Sequence, residues 1–296
     1  MLYKKCSKWV QKNINFFDPN ILRQNVDSDL MIKSYVELIF MRNMFYPDKV
    51  YSKDTIASMD KLIIKTSKKI NFNTYFLFDH YLISGSEVLC ELAENNTQLN
   101  VIDKKMFKKL ISSNLDVLPR RTPYRQLDVD YSLRKIKISS NFPSFKDLYN
   151  NTILAKAPNL FYLSNDLAYS ITHTLFYITD MGRKKLSKEQ QNTYQILLKK
   201  LITFYILEGN MDLLSECIIC LCFIYNFRLP SEQEELIQAA FQTIQKNQMR
   251  NGIIIAPGES KQTLKNNSDE ELFYKSYHTV LVTMGATFAY GKSTNL

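Results

Sequence analysis

Tyr169-Ser-Ile-Thr-His-Thr-Leu-Phe-Tyr-Ile-Thr-Asp-Met-Gly182 is the stretch on which the reading of the fold turns. As a helix it has two faces. His173, Tyr177 and Asp180 are spaced i, i+4 and i+7, with Tyr169 one turn earlier on the same side, while Leu175, Ile178 and Met181 point into packing. The pattern predicts a helix from about Leu160 to Met181, closed by Gly182 in the left-handed position that follows a helix end. It is also a helix with a working face, because one of only three histidines in the chain stands there beside hydroxyls and an acid.

Outward from this stretch, apolar and amphipathic helices alternate. Residues 27–45 are apolar nearly all round, begin with acids and stop before Pro47, as a buried helix does. Residues 52–69 set Ile56, Met59, Leu62 and Ile63 against lysines, as an outer helix does. A second apolar run from about Thr74 carries Asp79-His80-Tyr81, and a polar helix is expected over 101–113. Ser187 and Gln190 form a capping box for an outer helix that runs to Glu208 and Gly209. Met211 to Tyr225 is again almost wholly apolar, an amphipathic helix follows over 232–248, and the last inner helix carries Tyr274, Tyr277, His278 and Thr279.

Apolar helices inside and amphipathic ones outside predict an all-α fold, an α/α toroid-like or incomplete α/α barrel, with a curved helical-repeat array as the alternative. The inner runs begin alike at Ser28-Asp-Leu and Asn165-Asp-Leu, with Met211-Asp-Leu an echo, but their spacing is too irregular for a short-period solenoid. No linker divides the chain, so residues 1–296 are expected to form one helical domain, with a less regular insertion at about 114–160 where Pro119, Pro123, Pro143 and Pro158 fall.

Seven glycines and eight prolines supply too little turn chemistry for an all-β fold. The formal net charge of +9 comes from lysines scattered over helix surfaces, such as Lys104, Lys105, Lys108 and Lys109, and is read as solvated surface without a nucleic-acid face. The five cysteines are odd in number and three crowd one apolar helix, which excludes a secreted disulfide framework. Cys217 and Cys220 share a helix face, but buried free cysteines pack as small hydrophobes. The N-terminus lacks the apolar core of a signal peptide and no run approaches a membrane span, so the expected location is the cytoplasm, without membrane insertion.

His80, His173 and His278 each fall on a different apolar helix. If those helices converge at one mouth, the imidazoles meet Asp79, Glu87, Asp180, Asp212 and Glu216 around a polar pocket, the usual form of a ligand site. Histidine beside carboxylate suits proton transfer, since imidazole titrates near neutral pH. Three histidines would also suit a metal with an open coordination position, but none has the i, i+4 pairing of a helical ligand motif, so no metal ligands are assigned. The plainest reading makes each a hydrogen-bonded core residue. His173 and His278 are the acid/base candidates, with Asp180, Asp212 and Glu216 orienting or charging them. His80, Tyr169, Thr172, Tyr177, Tyr274 and Arg125 are the substrate-binding candidates. Arg125 also has a structural alternative, an ion pair with Asp128 or Asp130.

Thr172-His173-Thr-Leu-Phe176-Tyr177-Ile-Thr179-Asp180-Met-Gly182 resembles the signature of a bacterial all-helical family of unknown function. Pro123-Tyr-Arg125, Leu127-Asp-Val-Asp-Tyr131, Asp212-Leu-Leu-Ser-Glu216 and Tyr277-His278-Thr279 extend the likeness over about residues 110–290, and Met181 departs from it where an aromatic residue is expected. The resemblance implies a companion of peptide natural-product gene clusters. The expectation is therefore an enzyme acting on a peptide or small natural-product intermediate. Its alternatives are a noncatalytic binding or scaffold protein for a peptide or biosynthetic partner, and a metal-dependent hydrolase with histidine ligands. No cofactor can be read from the residues.

Overall fold

A computed structural model describes residues 2–21, 23, 26–45, 53–67, 104–135 and 137–294. Among them the regular structure is helical, as the pattern predicts, and the one β-type pairing is an isolated antiparallel bridge between Gln248 and Ile254. The helices are α1 (Leu2–Lys12), α2 (Ser28–Phe45), α3 (Lys53–Ser67), α4 (Lys104–Ser112), α5 (Pro123–Lys135), α6 (Phe145–Asn150), α7 (Asn165–Ile178), α8 (Lys188–Glu208), α9 (Met211–Ile224), α10 (Glu234–Asn247) and α11 (Asp269–Thr294). The chain divides into two compact units, one of Ile14–Pro158 and the other of Met1–Asn13 with Asn159–Leu296.

In the unit Ile14–Pro158, α2 packs on α3, where the Tyr35 hydroxyl donates to the Ile63 carbonyl at 3.1 Å. The Arg42 guanidinium forks onto Asp60 through Nε at 2.6 Å and Nη2 at 3.1 Å. The proline-rich stretch expected to be irregular instead carries α5. Its proline is no obstacle, because Pro123 occupies the first helical turn, where a backbone N–H has no intrahelical acceptor to lose. Within α5 the buried Asp130 accepts from Arg134 at 2.6 Å and Ser140 at 2.5 Å.

The second unit is built around α9, whose fourteen residues are all buried. Each large aliphatic or aromatic side chain there contributes about 1.5–3 kcal/mol by leaving water. Helices α7, α8 and α11 pack on α9, α1 packs on α11, and α8 packs on α10. Outer helix α8 buries Tyr194, Leu198, Leu201, Ile202 and Tyr205 along one stripe, and its expected capping box forms between Ser187 and Gln190. The lone tryptophan, Trp9 on α1, stacks on Phe273 of α11 with centroids 5.6 Å apart.

Helix ends differ from expectation in an informative way. Helix α7 stops at Ile178, and Asp180, not Gly182, takes the left-handed position after the cap, at φ 49°. The Met181 N–H reaches back to the Phe176 carbonyl at 2.8 Å and the Asp180 N–H to the Tyr177 carbonyl at 3.1 Å, the bond pair of a Schellman motif. Helix α9 ends the same way, with Asn226 at φ 52° and the Phe227 N–H bonded to the Cys222 carbonyl at 2.9 Å. Asp and Asn tolerate this conformation better than other side-chain-bearing residues. Gly182, also left-handed at φ 78°, serves close approach as well, since a Cβ there would meet Phe223 at 2.7 Å and Phe227 at 2.8 Å.

Candidate functional site

Three helices of the second unit supply the site. The spacing of Tyr169, Thr172 and His173 turns them together from α7, Asp212 and Glu216 stand one turn apart on α9, and His278 comes from α11. Nε2 of His173 and Nε2 of His278 each lie 3.7 Å from Oε1 of Glu216, and Nε2 of His278 is 3.9 Å from Oδ2 of Asp212. These separations exceed a hydrogen bond and act as charge–charge or charge–dipole contacts. Oε2 of Glu216 accepts a 2.5 Å hydrogen bond from the Thr172 hydroxyl, and Oδ2 of Asp212 accepts a long one, 3.4 Å, from the Tyr169 hydroxyl.

Burial sorts the groups. The Glu216 side chain is 2% exposed, whereas those of His173 and His278 are 23% and 29% exposed, so the imidazoles lie between solvent and the carboxylate. Nδ1 of His173 is buried, which leaves Nε2 as the nitrogen that ring can present. Burial pushes the Glu216 carboxyl up, but the His173 and His278 imidazoles facing it outweigh that and hold the group well below the usual carboxylate range. The Tyr169 phenol is pushed far above its ordinary value by burial and then by Asp212 and Glu216, so it remains a neutral donor.

Rings surround the imidazoles. Phe176 and Tyr177 lie 5.5 and 6.4 Å from the His173 ring, and Tyr277 lies 6.4 Å from His278. Behind them the Cys220 thiol donates to the Thr172 carbonyl at 3.4 Å, and Ser215 and Thr283 share a 2.9 Å hydrogen bond. Burial raises the Cys217 and Cys220 thiols well above their ordinary value, so they pack as neutral groups.

The residues singled out from sequence are not all brought together. His173, His278, Asp212, Glu216, Tyr169 and Thr172 meet, and Tyr177 flanks them. Thr172 is fully buried with its hydroxyl committed to Glu216, so it is not placed as a substrate contact. Tyr274 packs edge-on against Phe273 and Tyr277, with centroids 4.9 and 6.4 Å away, one turn before His278. Asp180 sits in the turn past the end of α7 and so leaves the face that carries His173. Arg125 belongs to α5 of the other unit, where it pairs with Asp128 at 3.2 Å and lies over the Tyr124 ring at 5.0 Å, the structural alternative weighed above. His80, Asp79 and Glu87 lie outside the described residues.

Sequence reasoning did not single out Ser215 or Thr283, whose signal is a hydroxyl inside an otherwise apolar helix. Among the described residues no group of three or more His, Cys, Asp or Glu side chains is arranged to hold a metal ion, and no helix is long and apolar enough to cross a membrane.

No curated protein and no solved structure matches the chain. One family model does, over residues 3–288, and the protein therefore belongs to the family described as Domain of unknown function (DUF6895).

Proposed function

We propose that the second unit is an acid/base catalyst acting on a peptide or small natural-product intermediate, with His173 and His278 as the proton-carrying groups and Glu216 as their shared counter-charge. One observation carries the reading: two partly exposed imidazoles from separate helices face the same oxygen of a buried, ionised carboxylate. Such a carboxylate attracts a proton held at either Nε2, and giving that proton to a bound substrate leaves a neutral ring able to take one back. Because Glu216 faces the presented nitrogen of His173, it acts by charging the imidazole and not by orienting it from behind. Asp212 adds a second negative group beside His278, and Tyr169 steadies Asp212.

An α/α toroid closing around this pocket, within a single helical domain, belongs to the same proposal. Its support is that α7, α9 and α11 lie inside and α8 and α10 outside in the second unit. The substrate class rests on the family resemblance drawn from the sequence.

The test compares small molecules and peptides extracted from cells producing the native protein with those from cells producing the His173→Gln/His278→Gln double variant. A product mass that depends on the histidines, with folding unchanged by circular dichroism, is the expected result. Identical profiles, together with a biosynthetic protein that co-purifies with both forms, would replace the catalytic reading with a binding one.

A further inference from the structure

We infer that Thr172 is a positioning residue, which holds Glu216 so that a single carboxylate oxygen serves both histidines. The inference rests on the acid/base reading of the pocket but adds a division of labour within it. Thr172 and His173 are neighbours on α7, yet they address opposite oxygens of one carboxylate: the hydroxyl takes Oε2 at 2.5 Å and the imidazole faces Oε1 at 3.7 Å. Oε1 is also the oxygen that faces His278. A glutamate side chain has three torsions and its last is soft, so a carboxylate held only by two contacts at 3.7 Å would rotate. A short bond to an ionised acceptor is of the stronger kind and removes that freedom.

Thr172 is itself well held. Its carbonyl accepts the Cys220 thiol from α9 and the residue is fully buried, while the Tyr169 carbonyl, 3.0 Å from the hydroxyl, is the longer of two alternative acceptors for its proton. A threonine hydroxyl has one proton. With that proton given to Glu216, the oxygen can only accept from other groups, which fits a fixed support better than a substrate contact.

The consequence is a defined state of both rings. A carboxylate oxygen opposite Nε2 favours the proton on that nitrogen in each neutral imidazole. The chain has three histidines, so an imidazole nitrogen spectrum carries three spin systems, of which His80 is the third. Long-range proton–nitrogen NMR, recorded at an alkaline pH above which the imidazole nitrogen shifts no longer change, assigns the tautomer of each neutral ring without any substrate.

The expected result is the Nε2–H form for His173 and His278 in the native protein and in Thr172→Ser, and a mixture with the Nδ1–H form in Thr172→Val. Retention of a single Nε2–H form in folded Thr172→Val would overturn the inference, whatever its loss of thermal stability. Should that variant not fold, the native spectrum decides, because Nδ1–H at either histidine contradicts a dedicated Oε1. The tautomers are read without turnover, so the inference can stand where the metabolite comparison fails, and can fail where that comparison succeeds.

Discussion

Glu216→Gln keeps the volume of the side chain and removes its charge, and its effect on stability should depend on pH in a specific way. At 3.7 Å and an effective dielectric near 20, attraction between Glu216 and one protonated imidazole amounts to about 4 kcal/mol. Desolvation of the carboxylate, 2% exposed, opposes it, and removing one partner from such a pair is expected to cost about 3 kcal/mol at pH 6. Once the imidazoles are neutral, on the alkaline side, the Coulomb attraction is gone, the hydrogen bond from Thr172 is what remains, and the loss should shrink to about 1 kcal/mol.

The acid side follows from linkage. The folded carboxyl is held below its ordinary value of 4.5, so on acidification the unfolded chain takes up the proton first. Stability from this group is therefore complete above about pH 4.5 and falls as pH drops toward the folded value, by at most about 1.4 kcal/mol per pH unit. Glutamine has no such titration, so the gap between native and variant should close below about pH 4.5. Urea unfolding followed by tryptophan fluorescence is the assay, because buried Trp9 stacks on Phe273 in the same unit as the site. A stability difference that stays constant from pH 8.5 to pH 3 would refute the charged-pair account of Glu216.

Three further outcomes are expected. Gly252→Ala introduces a Cβ 2.8 Å from the Lys5 carbonyl and 3.0 Å from Trp9 Cβ at a φ of 98°, so it should destabilise the seat of α1 by about 2 kcal/mol and red-shift tryptophan emission; unaltered emission and melting temperature would count against that packing. Lys137→Gly should raise stability by about 0.5–1 kcal/mol, since this exposed residue sits at φ 62° in the turn that ends α5, and a drop in melting temperature would show that its side chain supports more than the turn. Cys6, Cys217, Cys220 and Cys222 are buried, with the Cys6 and Cys222 thiols pushed up to about 12, so a thiol reagent should label them only as the protein unfolds; rapid labelling of any of the four in the folded state would contradict their burial.

What could be read from the residues, and what could not, follows from the difference between a helix's period and its placement. Period alone puts Asp212 and Glu216 on one face of an otherwise apolar helix, and it puts Tyr169 and His173 on one face of another. The all-α class was accessible on that basis, whereas a meeting with His278 could be expected only on the condition that the helices converge. Asp180 shares the period of His173 but not its helix, because the Schellman bonds at Phe176 and Tyr177 end α7 first. A glycine nearby drew the expected end to Gly182, although an aspartate tolerates the same backbone conformation. The stretch around Arg125 reads as loop for the complementary reason: Pro119 and Pro123 suggest a break, yet a proline in the first turn is compatible with a helix and gives Arg125 a local partner in Asp128.

Period also says nothing of how far one helix is slid along another, and the site depends on that height. A slide of one residue moves a helical side chain by about 1.5 Å, enough to change a 3.7 Å contact into a 5 Å one. The registers of α7 and α9 are pinned beyond the site, where the Asn226 amide donates to the Gly182 carbonyl and Gly182 admits the Phe223 and Phe227 rings. The two helices carry His173 and Glu216 roughly two and a half to three turns from that clasp. A glycine and an asparagine with no contact to the imidazoles thus set the height at which they meet the carboxylate, so substitutions at the clasp should disturb the pocket before they unfold the helices.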